Sequence, residues 1–277
     1  MEIASQNESS ASLYHAKIKA VLAHLILSIV IFSGIMAILI SFWYPPPYFE
    51  MDGGWQGIRL VAFIDIVLGP LLTFVVFKPG KKGLKVDLAL IAVLQFSALF
   101  YGIHTLYTYR TAAMVFAYDA FYVLSADIYK NRGIPWSTLD EIPGDYPKKI
   151  FISLPEGQNI KSFLKLSKEN PEFTLAIDNY RSLDGNMEAI IDMGRDIAFH
   201  LNEVPEDQGP VNDFLAEYGG ALDDYAFLPV YARYYFYLIG VDRESKEIVG
   251  VMKVEVPYPK DIPYLKETAK LKQAAST

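Results

Sequence analysis

The 277-residue sequence contains no cysteine and only four histidines. The lack of cysteine excludes disulfide bonds, thiolate metal sites and a cysteine nucleophile. After residue 107 the sequence has a single histidine, His200, which argues against a histidine-rich metal site there. Asp192, Asp196 and His200 share one face of a predicted helix, but no second histidine supports a metal site, and we expect an exposed helix face.

Motifs for nucleotide and acyl chemistry are missing as well. The sequence has no Gly-x-Ser-x-Gly, no P-loop and no Rossmann glycine pattern. Residues 108–277 carry 18 of the 25 basic and 26 of the 32 acidic residues, which is a net charge of −8. An acidic domain binds nucleic acid poorly. We therefore expect no nucleic-acid partner, no cofactor and no enzymatic activity.

Three long apolar runs are what the sequence does contain, and its mean hydropathy is +0.20. The runs cover residues 20–43, 57–77 and 84–107, and each reaches the roughly 20 residues that a transmembrane helix needs. Buried core helices are the alternative, but these are usually shorter and keep a polar face. The first run is too long for the apolar core of a signal peptide and no cleavage site follows it, so we expect it to stay as an anchor.

Basic residues near the runs predict their orientation. Six lysines lie at one set of run ends: Lys17, Lys19, Lys78, Lys81, Lys82 and Lys85. The loop between the first two runs has only Arg59 at its edge. Because basic loops stay in the cytoplasm, residues 1–19 and the lysine-rich turn are predicted to be cytoplasmic. Three crossings then place residues 108–277 on the far side of the membrane.

The stretch YPPPYFEMDGGWQG, from Tyr44 to Gly57, joins the first two runs. Its three prolines are expected to stop the first helix and hold the chain extended, and its adjacent glycine pair permits a turn into the next helix. These residues are Pro45, Pro46, Pro47, Gly53 and Gly54. Its aromatic side chains suit a membrane–water boundary; with the preceding residue they are Trp43, Tyr44, Tyr48, Phe49 and Trp55. The stretch is predicted to be a rigid interfacial loop.

This stretch, followed by DIVLGPLLTFVVFKPGKKGLKVDLALI and QFSALFYGIHTLYTYR, resembles the type IV pilin accessory proteins of the TfpX/TfpZ family. The similarity covers residues 20–130. It implies a bacterial inner-membrane protein encoded beside a major type IV pilin, with that pilin as its partner. Contact with the inner-membrane pilus assembly platform is left open by the resemblance, and membrane lipids are expected neighbours.

The second run carries a lone carboxylate, Asp65, which costs about 2.5–3.5 kcal/mol at mid-bilayer on insertion scales. Ala62, Asp65, Gly69 and Thr73 recur at helical spacings, and together form what we call the polar stripe. Pro70 lacks an N–H group, so a kink is expected beside the acid.

Helix geometry suggests which side chains lie near Asp65. At about 1.5 Å per residue, Asp65 lies about 12 Å below the predicted outer end of its run. Counted in the same way, each from the outer end of its own run, Tyr101 lies at about 9 Å, Ser33 at about 15 Å and Gln95 at about 18 Å. Tyr101 and Ser33 are therefore the preferred internal partners. Asp65 either ties the helices together or, with the polar stripe and Tyr101, forms a groove for the pilin helix that the resemblance implies. We favour a groove shaped by Gly69 over a charged contact.

Residues 108–277 are predicted to be a periplasmic α+β domain with an antiparallel sheet. The predicted strands, rich in β-branched and aromatic residues, are 112–124, 148–154, 172–178, 225–242 and 246–256. The last two flank the polar turn DRES and should pair as a hairpin. Helical periodicity is found in 158–169, 186–202 and 211–218.

One side of the predicted strand 225–242 would carry Tyr231, Arg233, Tyr235 and Tyr237. An aromatic face with an arginine suits contact with another protein. Ordinary packing against a helix is the alternative.

The residues and the resemblance together favour a non-enzymatic, chaperone-like factor for type IV pilus assembly. It would bind the cognate major pilin in the inner membrane and promote its incorporation into the fibre, and so favour extension. A membrane-anchored periplasmic sensor or binding module unrelated to pilin is the alternative, although residues 1–19 and one turn offer little room for a cytoplasmic output domain. A membrane enzyme or transporter is a third reading, poorly served by one carboxylate and three helices.

Overall fold

The computed structural model describes residues 2–117, 120–153, 173–192 and 197–254. The chain divides between Arg110 and Thr111 into two compact units. We call the part up to Arg110 the helical unit and the part from Thr111 the sheet unit, and describe each by itself.

The helical unit contains three long helical stretches and one short helix. The first stretch is α1, which continues directly into a π-helical segment, and the second consists of α3, a second π-helical segment and α4. The bounds are α1 Glu2–Ile38, π-helix Leu39–Trp43, α2 Tyr48–Met51, α3 Gly54–Ala62, π-helix Phe63–Leu68, α4 Gly69–Val76 and α5 Leu84–Thr108.

Three helical stretches in the described residues are long and apolar enough to cross a membrane, namely Ala11–Trp43, Gly54–Val76 and Leu84–Thr108. Their outward side chains are large and apolar; Phe42 is 72% exposed and Phe100 is 71% exposed. A surface with so many exposed apolar side chains is suited to lipid rather than to water.

Pro70 explains the irregular middle of the second stretch. Proline has no N–H group and its ring clashes with the carbonyl four residues earlier, so a regular α-helix cannot pass through it. The π-helical segment Phe63–Leu68 ends just before Pro70, and the N–H of Gly69 donates to the carbonyl of Ile64, five residues earlier. Asp65 therefore lies in a widened helical turn.

The interfacial loop is not extended, which corrects the sequence prediction. Pro45 is half-buried, Pro46 and Pro47 are exposed, and the chain then forms the short helix α2. Gly53 has a positive φ of 78° and Gly54 begins α3, so the expected glycine turn is present.

Most aromatic rings of this loop are buried within the protein instead of lying at an open boundary. Tyr44 is 1% exposed, and its hydroxyl donates to the carbonyl of Leu106 over 2.8 Å. The Phe49 ring meets Trp55 edge to face at 5.3 Å, and Trp55 alone of these two is half exposed. The loop thus ties the C-terminal end of α5 to the end of the first stretch.

The sheet unit has seven strands in its described residues: β1 Thr111–Ala117, β2 Ala120–Ser125, β3 Lys148–Ile152, β4 Tyr180–Ser182, β5 Tyr225–Tyr231, β6 Phe236–Asp242 and β7 Ile248–Val254. They form one sheet in the order β4-β3-β1-β2-β5-β6-β7. The pairs β1–β3 and β2–β5 are parallel and the others are antiparallel. The sheet is therefore mixed, and the prediction of an antiparallel sheet was wrong.

Two predicted strands are each a hairpin. The range 112–124 divides into β1 and β2, and 225–242 divides into β5 and β6, which pair antiparallel. The turn after Tyr231 contains Ala232, Arg233, Tyr234 and Tyr235, which lack the glycine, proline and asparagine that normally mark a turn. The described part of the predicted strand 172–178 forms two 3₁₀ turns instead. The hairpin around DRES is confirmed by the β6–β7 pairing.

The helices of the sheet unit partly follow the predicted periodicity. Those among the described residues are α6 Ala126–Asn131, α7 Ser137–Asp140, α8 Met187–Ile191, α9 Ile197–Glu203 and α10 Gln208–Tyr218. The predicted helix 158–169 lies outside the described residues. Phe214 of α10 packs directly over Gly240, where a Cβ atom would collide with its ring. A glycine in β6 thus lets the helix approach the sheet.

The sequence predicts an exposed helix face at His200, but the structure buries this side chain. Its Nε2 is 2.7 Å from the Asp207 carboxylate, and both side chains are 1% exposed. The pair fixes α9 against the turn that precedes α10. Asp192 is exposed, and Asp196 lies outside the described residues.

Removal of the Asp207 carboxylate should strongly destabilise the chain. We expect Asp207→Ala to lower the free energy of unfolding by about 3–5 kcal/mol, because breaking one partner of a buried pair leaves the other in an apolar environment. The matched control is Asp213→Ala, an exposed acid on α10, which should change it by less than about 0.5 kcal/mol. Chemical denaturation of the full chain in detergent measures both. Equal effects of the two substitutions would contradict a structural role of the pair.

Candidate functional site

The polar stripe of the second stretch faces the other helices of the unit. Asp65 is 6% exposed and Thr73 is 3% exposed. Gly69 and Pro70 are buried, and Ala62 is half-buried. Gly69 is thus already packed against the same chain, whereas the predicted groove would need it open to a partner helix.

Gln95 of α5 covers the middle of the stripe. Its Nε2 lies 3.5 Å from both the carboxylate Oδ1 and the backbone carbonyl of Asp65, at the long limit of a hydrogen bond. A Cβ atom on Gly69 would collide with the same amide. Gly69 thus makes room for an internal side chain.

The expected partners of Asp65 were wrong. Tyr101 is 72% exposed and Ser33 is exposed, so neither reaches the buried carboxylate. The depth estimate assumed regular α-helices, whereas Asp65 lies in the π-helical segment. A bulky polar residue on α5 facing a glycine was the signal that could have identified Gln95.

His24 provides a second polar contact between helices. Its Nδ1 is 2.7 Å from the hydroxyl of Thr73, which joins α1 to α4. Lys17 adds a third, since its Nζ donates to the carbonyl of Phe74 over 2.9 Å and lies 5.0 Å from the centre of that ring. These contacts attach α1 to the end of the second stretch that carries the lysine-rich turn.

A cavity of about 350 Å³ lies between α1 and α5, with the second stretch as its floor. Its walls are mostly apolar. Five polar side chains lie on its lining: His24, Ser28, Asp65, Thr73 and Gln95. We call this space the α1–α5 groove. Among the described residues no group of three or more His, Asp or Glu side chains could hold a metal ion.

The four contact candidates of the sheet unit do not share one strand face. Tyr237 is buried at 3% exposure and is therefore not available to a partner. Tyr231 stacks on Tyr122 at 5.0 Å, and Tyr235 lies under the Lys253 ammonium at 3.3 Å. Arg233 is exposed and 3.7 Å from the Asp127 carboxylate. The exposed aromatic side chains at this turn are Tyr234 and Phe236.

Comparison with known proteins identifies relatives. The chain is 35% identical over 139 residues to the fimbrial assembly protein of Dichelobacter nodosus serogroup E1, covering 49% of this chain and 50% of that relative. The serogroup I protein of the same organism matches to the same extent. The protein of serogroups C1 and C2 is 35% identical over 134 residues, which are 47% of this chain and 94% of that relative.

The chain thus spans about half the length of two curated relatives and nearly all of the third. No family model matches the chain, and no solved structure matches it. With helices apolar enough to span a membrane, the chain fits a membrane-associated class of protein. It belongs to the family of fimbrial assembly proteins.

Double-mutant cycles should rank the polar contacts between the helices. Interhelical hydrogen bonds in membrane proteins couple by about 0.6 kcal/mol on average and about 1.7 kcal/mol at most. The cycle His24→Ala with Thr73→Ala should approach the upper value, because His24 Nδ1 and the Thr73 hydroxyl oxygen are 2.7 Å apart. The cycle Asp65→Ala with Gln95→Ala should give the average coupling energy or less, because Gln95 Nε2 and Asp65 Oδ1 are 3.5 Å apart.

Unfolding of the full chain in detergent supplies the coupling energies. The exposed pair Ser33→Ala with Ser97→Ala is the control and should show no coupling. A larger coupling for Asp65 with Gln95 than for His24 with Thr73 would contradict the described geometry.

Proposed function

We propose that the protein is a non-enzymatic accessory factor of type IV pili, of the TfpX/TfpZ kind. It binds the cognate major pilin in the bacterial inner membrane and promotes its incorporation into the fibre. Membership of the fimbrial assembly proteins supports this proposal. Three apolar helices, which offer the apolar helix of a partner a surface within the membrane, support it as well.

The proposed orientation follows from charge. The lysine-rich ends lie in the cytoplasm and the outer ends of the three helices lie at the periplasmic face, because short basic loops are retained on the cytoplasmic side. Three crossings then place the sheet unit in the periplasm. Its exposed aromatic turn, with Tyr234 and Phe236, is suited to contact with the soluble part of a pilin.

The observation that carries the proposal is an uncovered face of small residues on α1. Ser33, Gly34, Ala37 and Ser41 are all exposed, and a Cβ atom on Gly34 would meet no atom within 4 Å. Helices associate in membranes chiefly where small residues let two backbones approach closely. Gly69 is already covered by Gln95, so the α1 face takes the place of the predicted groove.

Enlarging the α1 face should weaken pilin capture. We expect Ala37→Leu to reduce co-purification of the major pilin about tenfold, because an added side chain in a close helix contact costs about 1–3 kcal/mol. The matched control, Ala89→Leu, enlarges an exposed alanine on α5 and should leave capture unchanged. Piliation of cells that carry each variant is the functional measurement.

Two outcomes would contradict this assignment. Equal capture by the Ala37→Leu and Ala89→Leu variants would exclude the α1 face. Loss of capture in Asp65→Asn, with the Ala37→Leu variant unaffected, would instead favour the charged contact that the buried position of Asp65 disfavours. If wild-type protein captures no pilin and its removal leaves piliation intact, the proposed function itself is wrong.

A further inference from the structure

The α1–α5 groove is long and narrow. Its lining begins at Ala20 and Leu88 and ends at Ile31 and Leu99. Each of these ranges covers about 16 Å at 1.5 Å per residue. A volume of about 350 Å³ spread over that length makes the groove narrow compared with a helix.

Such a space is too narrow for a helix, which measures about 10–12 Å across with its side chains. It does accommodate one extended hydrocarbon chain. Leu27 and Phe96 line the groove and are 59% and 61% exposed, so the groove opens sideways between the two helices. Most of its polar lining has a partner within the unit: His24 and Thr73 are bonded to each other, and the Gln95 amide lies 3.5 Å from the Asp65 carboxylate.

Lysines surround one end of the groove. Lys17 precedes the lining residue Ala20 by one turn on the same face of α1, and Lys85 stands in the same relation to Leu88 on α5. Lys78 directly follows Phe77, another lining residue. Two helices, α1 and α5, and the turn that follows α4 therefore each bring a lysine to this end.

The charge at this end is poorly compensated. The acids within residues 11–117 are Glu50, Asp52, Asp65 and Asp87, and of these only Asp87, 2.5 Å from Lys81, lies at the lysine-rich end. The Lys17 ammonium donates to the Phe74 carbonyl, which leaves two of its three hydrogens for an anion. Basic pockets between helices on the cytoplasmic side of membrane proteins bind anionic lipid head groups.

We propose that the helical unit binds an anionic phospholipid, with one acyl chain in the α1–α5 groove and the phosphate among Lys17, Lys78 and Lys85. The combination of an apolar channel and a basic end fits this ligand better than a free anion, which has no use for the channel. This proposal rests on the proposed membrane location of the helical unit.

Binding is tested on the full chain in detergent by native mass spectrometry. The probes are dioleoyl phosphatidylglycerol, dioleoyl phosphatidylcholine with the same chains but no net charge, and inorganic phosphate as a competitor. Wild-type protein should bind phosphatidylglycerol at least about fivefold more tightly than phosphatidylcholine, since one lysine near the headgroup changes affinity about fivefold. Millimolar phosphate should not displace it.

Variants separate the groove from the lysines. Ala92→Phe fills the groove from α5 and should reduce phosphatidylglycerol binding to the phosphatidylcholine level, whereas Ala89→Phe, outside the groove, should not. Ala20→Phe fills it from α1 and answers the same question if the first variant folds poorly. Lys85→Gln should weaken binding about fivefold, and Arg59→Gln, at the other helix ends, should leave it unchanged.

The proposal is overturned if the two lipids bind equally, if Ala92→Phe behaves like Ala89→Phe, or if inorganic phosphate displaces the lipid. The membrane location is tested separately by extracting membranes with alkaline carbonate. Release of the chain into the soluble fraction would show that the membrane location is wrong. A membrane-embedded chain that captures pilin yet shows no preference for phosphatidylglycerol contradicts the lipid site alone.

Discussion

Polar groups among apolar helices must find partners within the chain, and the helical unit is arranged around this constraint. A hydrocarbon environment offers no water to bond them. The second stretch carries Asp65 and Thr73, and the outer helices supply what these side chains need: Gln95 comes from α5 and His24 from α1. At the two ends, Tyr44 and Lys17 bond backbone carbonyls of neighbouring helices. The stretch that carries the buried carboxylate is therefore the one that the other two cover.

This arrangement determines which surface remains for a partner. Two glycines of the helical unit differ in what surrounds them: Gly69 lies against the Gln95 amide, while Gly34 has open space. The polar stripe is thus used for internal packing, and the small-residue face of α1 is left outside. A polar stripe in a membrane helix indicates a protein neighbour, but the neighbour can belong to the same chain.

The sequence predicted best what depends on length and composition, and least well what depends on distant contacts. The three apolar runs correspond to helices of sufficient length because helical apolar runs are a local property. The hairpins within 112–124 and 225–242 were missed because aromatic residues continue through their turns, as at Tyr234 and Tyr235. The parallel pairs β1–β3 and β2–β5 join segments far apart in sequence. Gln95 was missed because Pro70 changes the helical geometry around Asp65.

The two proposed surfaces can be used at the same time because they lie on opposite faces of α1. Ser33 follows His24 by nine residues, and Ala37 follows Ser28 by nine residues. Nine residues are two and a half turns of a helix with 3.6 residues per turn, so each pair points in opposite directions. His24 and Ser28 line the groove, while Ser33 and Ala37 are exposed. A lipid in the groove would therefore leave the α1 face open to the proposed pilin contact, and would fill the space between α1 and α5 that no side chain of the unit occupies.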